Sequence, residues 1–327
     1  MVELRGLQFP PIMNASGARG FFGEGYWYHA PWKALGLSFR GCGFVAKTVT
    51  LEPRIGNMPM KPDGITPKEW LLKCIITKPI KGIVLNSVGL SNPGAATFVA
   101  WLRWHTLSAT NMPWFLSFMS VQKTLDEKLQ ELREFVRMLL PTIHAFNIPA
   151  GLEINFSCPN VGLKMNTHHE SLSEEIWLSL EIAGRLGVPV QVKLNALAPI
   201  PDIYEAAMHP ACDAIVMGNT IPWGMFPDRI NWKQLFGSDI SPLTHLGGGG
   251  LSGPPLRPIH CEWIRNARQY GITKPIWGCG GVDSPDAVDE YARAGTNGIQ
   301  FGTVCMLRPW QVQPIRRRAY ELFSQPA

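Results

Sequence analysis

Short apolar runs rich in Val, Ile and Phe recur along the chain, most of them separated by helical patterns or by Gly- and Pro-rich loops. In order they are FPPIMNAS (9–16), FVAKTVT (44–50), WFLSFMS (114–120), GLEINFS (151–157), VPVQVKL (188–194), DAIVMGN (213–219), PIWGCGG (275–281) and GIQFGTV (298–304). Strand-then-helix alternation predicts a parallel sheet covered by helices. Eight such runs in 327 residues predict an α/β fold, a (β/α)8 TIM barrel. A ninth run, GIVLNSVGLSN (82–92), does not fit the count. Its polar residues suit a hairpin or loop excursion near the barrel mouth better than a helix-covered strand.

Helix signals support the alternation. Thr124 and Glu127 form a capping box that opens an amphipathic stretch running to Leu140, and Ser171 with Glu174 opens another that ends at Gly187. Ser284, with Pro285 at the first helical position and Gly295 after the last turn, frames a third. No repeat, low-complexity tract or linker interrupts the pattern, so residues 1–327 are expected to form one domain. The irregular stretches 17–43, 51–81, 160–170 and 220–260 all follow strands, which in a barrel makes them the long loops of the active face.

With 46% hydrophobic residues the chain can bury a large core. The formal charge of +5 is scattered, and the one basic run, Arg316 to Arg318, reads as a solvated helix face; no nucleic-acid footprint is expected. The seven cysteines are widely spaced without a CxxC pair, which excludes the usual thiolate metal spacings and points to free thiols in a reducing compartment. No apolar run is long enough to span a bilayer, so a cytoplasmic protein without a membrane partner is expected.

The strand ends carry the candidate chemistry. Ser16, Lys47, Asn155, Lys193, Asn219, the Gly280 and Gly281 pair, and Gly302 with Thr303 all fall at or just past strand C-termini, converging on one face. Two lysines ending apolar strands either snorkel to solvent or meet an anion, because burial without a partner costs several kcal/mol. The glycine clusters at 247–253, 278–281 and 301–303 suit a phosphate held by backbone N–H groups after the last two strands, although loop flexibility explains each cluster alone.

At this point the residues show a resemblance. MNASG (13–17), AKTVTLEPRIGN (46–57), LNSVGLSNPG (85–94), EINFSCPNVG (153–162), VKL (192–194), GNT (218–220), GGLSGPPLRP (249–258), GCGGVDSPDA (278–287) and IQFGT (299–303) occur in the order found in dihydroorotate dehydrogenases. The chain most resembles the soluble class 1 enzymes, and the resemblance spans almost its whole length.

It implies an FMN-containing barrel that oxidises dihydroorotate to orotate in pyrimidine synthesis. By that resemblance FMN contacts Ser16, Lys47, Thr48, Asn86, Asn155, Lys193, Gly253, Gly280, Gly281, Gly302 and Thr303. The glycines and Thr303 hold its phosphate, and Lys193 lies near the N1/O2 edge of its ring. The substrate is held by Lys47, Asn86, Asn155, Asn160, Asn219 and Thr220, with backbone groups of Val88, Gly89 and Leu90. Bottom-up chemistry agrees, since an asparagine offers both an acceptor and donors to a planar pyrimidine and Lys47 offers a cation for the carboxylate. Each asparagine taken singly could equally be a turn or cap residue. The class 1 pattern makes Cys158 the base that removes the C5 proton as hydride leaves C6 for flavin N5, and Lys47 joins it as a catalytic residue. The other cysteines read as ordinary buried thiols.

The loop 161–170 is expected to close over the substrate, with His168 and His169 as loop-surface residues and no metal site. Partners implied are the small-molecule substrate, a second copy in a homodimer, and an electron acceptor that is either fumarate or NAD reached through a separate electron-transfer subunit. Two departures stand out. Met60 and Lys61 occupy places where many class 1 enzymes carry Pro-Arg, and residues 21–42 form an aromatic-rich stretch longer than expected. Either could mark an altered substrate, a partner surface or lower activity. A dihydrouracil-type dehydrogenase and an inactive assembly subunit are the rival readings.

Overall fold

The computed structural model describes residues 1–35, 37–102, 110–156 and 172–324. Its strands are β1 (Val2–Leu4), β2 (Leu7–Phe9), β3 (Ile12–Asn14), β4 (Ile75–Lys78), β5 (Ile83–Asn86), β6 (Trp114–Phe118), β7 (Ala150–Asn155), β8 (Val190–Leu194), β9 (Ala214–Met217), β10 (Ile221–Pro222), β11 (Gly250–Ser252), β12 (Ile276–Cys279) and β13 (Gly298–Phe301). Seven of these form one parallel sheet in the order β3, β13, β12, β9, β8, β7, β6.

The gap between β3 and β6 is filled by residues 43–49, which bridge Met13 through Gly43 on one side and Phe115 and Phe118 through Val45 and Val49 on the other. The Gly43 amide donates to the Ile12 carbonyl at 2.8 Å, and the Ala46 and Val49 amides donate to Phe115 and Ser117 at 2.9 Å each. The ring therefore closes through all eight predicted runs in chain order, with the second present as bridges rather than as a continuous strand.

Helices alternate with the strands as expected. Leu125–Leu139 carries the Thr124 capping box, in which the Glu127 amide donates to Thr124 Oγ1 at 3.4 Å and the Thr124 amide to Glu127 Oε2 at 3.3 Å. Ser284 caps Pro285–Ala294, whose end turns at Gly295 with φ +98°. Leu172–Ala183 continues as a tighter turn to Leu186 and stops at Gly187, φ +68°; its proposed cap Ser171 lies outside the described residues.

The ninth run, expected as a hairpin or loop excursion, supplies β5 and the loop after it. β4 and β5 pair antiparallel, and β11 and β10 extend them into a four-stranded sheet. At the opposite end the β1–β2 hairpin places Val2, Leu4 and Phe9 against Met13, Val45, Phe115, Val216 and Trp277, an apolar plug inside the lower barrel. Its burial closes the lower end of the barrel, opposite the C-terminal ends of the strands.

Candidate functional site

The strand ends surround a cavity of about 270 Å³. Ser16 follows β3, Lys47 and Thr48 come from the bridged segment, Asn155 ends β7, Lys193 lies near the end of β8, Asn219 and Thr220 follow β9, and Gly302 and Thr303 follow β13. The loop after β5 brings Val88, Gly89 and Leu90, with Asn86 at the strand end. Gly253, Gly280 and Gly281 complete the lining. The cavity thus gathers every site residue expected from the sequence except Cys158 and Asn160, which lie outside the described residues together with the loop 161–170.

One end of this cavity is built from backbone. Gly253 has φ +121°, and a Cβ there would stand 2.6 Å from the Gly82 carbonyl oxygen and 3.0 Å from Ile83 Cα. Gly281, φ +67°, would place a Cβ 2.9 Å from the Gly253 carbonyl oxygen. These two loops touch so closely that only hydrogen fits between them, which leaves their amides room to meet oxygen atoms of a ligand. Tyr291 braces the arch from behind, its hydroxyl donating to the Gly280 carbonyl at 2.6 Å and the Cys279 carbonyl at 2.9 Å. Arg257 Nη1 donates to the Gly281 carbonyl at 2.8 Å, and Arg257 and Arg308 both pair with Asp283.

The other end is built from side chains. Lys193 is buried, with its ammonium 3.9 Å from the buried Glu153 carboxylate. Lys47 is buried too; it donates to the Ser91 carbonyl and lies 5.1 Å from the Phe21 ring centroid. Ser16 Oγ and Thr48 Oγ1 are 2.8 Å apart, and Asn219 Nδ2 donates to Asn155 Oδ1 at 3.3 Å. Leu90 has φ +58°, a strained geometry for a leucine, in the loop that faces the ligand space. That loop is held by Asn57, whose side chain donates to the Ser87 carbonyl at 2.7 Å, and by Ser91, whose hydroxyl accepts from the Met58 amide at 3.1 Å.

The departures read from the sequence fall in different places. Met60 bridges Pro67 and Lys61 is exposed, neither lining the cavity. The aromatic stretch, by contrast, contributes Tyr26 and Tyr28 to the wall, stacked at 5.4 Å between centroids, and Tyr26 donates to the Gly17 carbonyl at 2.9 Å. Burial raises the pKa of both tyrosines above the usual phenol range. Sequence reasoning did not place these two in the site. It also missed Cys279 and Met58 in the lining, and Glu153 beneath Lys193. A signal for Glu153 existed: in β7 and β8 the polar residues Glu153, Asn155, Gln191 and Lys193 alternate with Leu152, Ile154 and Val192, the period of a strand whose one face looks into the barrel.

All six described cysteines are buried and free, and burial raises their thiol pKa values, Cys74 and Cys261 to about 11 and Cys42 and Cys212 to about 12. Among the described residues no helix is long and apolar enough to cross a membrane and no cluster of His, Cys, Asp or Glu could hold a metal ion.

Residues 1–321 match the family model for dihydroorotate dehydrogenase. The chain is 32% identical over 314 residues to the dihydroorotate dehydrogenase B (NAD(+)) catalytic subunit of Geobacillus sp. (strain WCH70), covering 94% of this chain and 86% of that one. The same identity and coverage hold for the enzyme so named from Anoxybacillus flavithermus. A ligand-free dihydroorotate dehydrogenase structure from Eimeria tenella superposes with a TM-score of 0.68 at 20% identity, over 99% of this chain and 87% of that one, and so shares the barrel fold. With a family model matched over nearly its full length and curated relatives matched across the same span, this chain belongs to the dihydroorotate dehydrogenase family.

Proposed function

We propose that the protein oxidises dihydroorotate to orotate with FMN as its flavin. The observation that carries this reading is the composition of one cavity: a glycine arch at one end, and at the other two buried lysines with Asn86, Asn155 and Asn219 on separate elements. The family is one of flavoproteins, and the donor set fits that group. Backbone amides at Gly253, Gly280, Gly281 and Gly302 with the Thr303 hydroxyl suit a phosphate, and the Lys193 ammonium suits the edge of a ring that gains negative charge on reduction. Bound there, the flavin supplies a two-electron acceptor.

This chain's residues do the rest. Lys47 binds the substrate carboxylate, the asparagines orient the pyrimidine by matching its carbonyl and N–H edges, and the backbone of Val88, Gly89 and Leu90 closes one side. Removal of the C5 proton falls to Cys158. Among the described groups lining the cavity, burial pushes the Cys279, Tyr26 and Tyr28 pKa values up, and Asp283 is engaged by two arginines at the arch end. Cys279, Tyr26 and Tyr28 so raised hold their protons near neutral pH, which leaves them poor bases there. Cys158 is three residues beyond Asn155, and three residues of chain reach at most about 11 Å.

Electrons leave, on this reading, to a separate electron-transfer subunit, as the catalytic-subunit names of the relatives suggest. A homodimeric, cytoplasmic enzyme is proposed as its setting. The test is anaerobic: the purified yellow protein should bleach on addition of dihydroorotate and not of dihydrouracil. Cys158→Ser should slow that bleaching at least about a hundredfold near pH 7 while leaving bound flavin in place. Absence of flavin, bleaching by dihydrouracil alone, or an unchanged rate in the variant would each overturn the corresponding part.

A further inference from the structure

Below the cavity floor the barrel interior is polar where it need not be. Ser117 on β6, Glu153 on β7, Gln191 on β8 and Gln300 on β13 are all fully buried. Glu153 stands in register between Ser117 and Gln191 on the flanking strands, and all point inward. Ser117 Oγ donates to Glu153 Oε1 at 3.0 Å, and Gln191 Nε2 donates to Glu153 Oε2 at 2.8 Å. The layer below, Met13, Val45, Phe115, Val216 and Trp277, is apolar and fully buried. Apolar side chains could have filled the upper layer too, since a buried ion pair is seldom more stabilising than a hydrophobic replacement. A carboxylate at this depth therefore has its consequence above it, where its one described cationic neighbour is the Lys193 ammonium at 3.9 Å.

The same layer reaches the cavity wall. Ser117 Oγ is 2.9 Å from Thr48 Oγ1, which is 2.8 Å from Ser16 Oγ. Ser16, Thr48 and Lys193 all line the cavity, so hydrogen bonds through Ser117 tie one wall to Glu153, whose carboxylate also pairs with Lys193.

We propose that Glu153 is a positioning residue that sets how much positive charge Lys193 presents to the ring bound in the cavity. Ser117 and Gln191 hold the carboxylate so that it draws the ammonium toward the floor and offsets part of its field. This rests on the flavin reading above. Without the carboxylate, the ammonium acts on the ring undiminished and favours added negative charge there.

The experiment reads flavin electrostatics rather than turnover. Wild type, Glu153→Gln, Ser117→Ala and Lys193→Met are purified with flavin, and the sulfite dissociation constant and the flavin midpoint potential are measured by spectrophotometric titration. Glu153→Gln should bind sulfite about five- to tenfold more tightly, with a more positive potential. Ser117→Ala frees Oε1 to approach Lys193 and should shift both quantities the opposite way, by less. If Glu153→Gln lowers the melting temperature but leaves the sulfite constant within about twofold of wild type, the residue is only a structural strut and the proposal fails. Should Glu153→Gln not retain flavin, Ser117→Ala decides: an unchanged or tighter sulfite constant overturns the proposal. Wild type without flavin, or Lys193→Met with sulfite binding like wild type, would instead sink the underlying placement of the flavin ring.

Discussion

The two ends of the cavity are made of different material. The glycine arch has its shape from backbone and admits no side chain, while the lysine end has its chemistry from side chains standing on regular strands. The arch depends on loops from β11 and β12 passing within a methyl group's width of each other and of Gly82. The lysine end depends on strand register, which sets Asn155 beside Lys193 and Glu153 beside Gln191. A backbone-built site supplies donors without charge and fails abruptly when crowded. A side-chain-built site can be tuned by one substitution at a time, because the barrel beneath it stays intact.

The largest effect that would separate the two ends comes from the arch. Gly253→Ala places a Cβ 2.6 Å from the Gly82 carbonyl oxygen and demands φ +121° of a residue that rarely adopts it. Both partners are backbone, so relief requires moving β5 or the loop itself. We expect a loss of about 2–4 kcal/mol in unfolding free energy and protein purified largely without flavin. Wild-type flavin content in this variant would show that the arch is looser than its geometry implies.

The sequence revealed the two ends unequally. Strand runs were legible because fully buried parallel strands are nearly continuous in apolar residues, and their polar terminal residues marked the active face. Residues 44–50 read as a strand of the same kind, yet they pair only through isolated bridges. Apolar content reports burial and cannot report whether the ladder of hydrogen bonds is continuous. The run 82–92 was read from its polar residues as a hairpin or loop excursion, but its antiparallel partners were not legible: β4 fell in the stretch 51–81 read as irregular, and β11 lies more than a hundred and sixty residues away, with Gly250 opposite Asn86. Tyr26 and Tyr28 were hidden because a loop has no periodicity to say which aromatic faces inward. Glu153 was hidden in plain alternation, inside a run read only as an apolar strand, although its neighbours Leu152 and Ile154 pack into the core shared with the helices and it faces the barrel axis.

An acid titration should weaken the fold through a histidine packed behind the arch. His260, fully buried behind the arch, has its Nδ1 2.7 Å from the Cys279 carbonyl, and a Cβ on Gly280 would stand 2.8 Å from its ring. Burial lowers its pKa from 6.5 to about 4, the contact with the Cys279 carbonyl opposing this more weakly. A depressed histidine is neutral in the fold and takes up its proton more readily when unfolded. Its contribution is therefore complete above pH 6.5 and disappears as pH falls toward 4, amounting to about 3 kcal/mol across that window. His29, lowered to about 4 chiefly by burial, acts in the same direction, so the difference between wild type and His260→Gln isolates the arch. Urea titrations at pH 7 and pH 4.5 should show a smaller pH-dependent loss in His260→Gln than in wild type. Equal losses would remove His260 from this role.

The smallest expected effect lies on the wall between the two ends. Tyr26 ties the aromatic stretch to the end of β3 through one hydrogen bond, 2.9 Å from its hydroxyl to the Gly17 carbonyl, beside the cavity-lining Ser16. Tyr26→Phe keeps the ring, its stacking on Tyr28 and the volume it fills, and leaves the Gly17 carbonyl to find another donor. The net worth of such a bond is about 1 kcal/mol, and a carbonyl near an open cavity can be met by water at lower cost. We expect a melting temperature lower by about 2–4 °C and flavin binding weakened by less than about tenfold. The comparison turns on the contrast with Gly253→Ala: both alter one group on the cavity lining, but only the glycine change forces backbone apart. A Tyr26→Phe protein that lost its flavin as completely as Gly253→Ala would mean that the wall, and not the arch alone, is held by geometry with no slack.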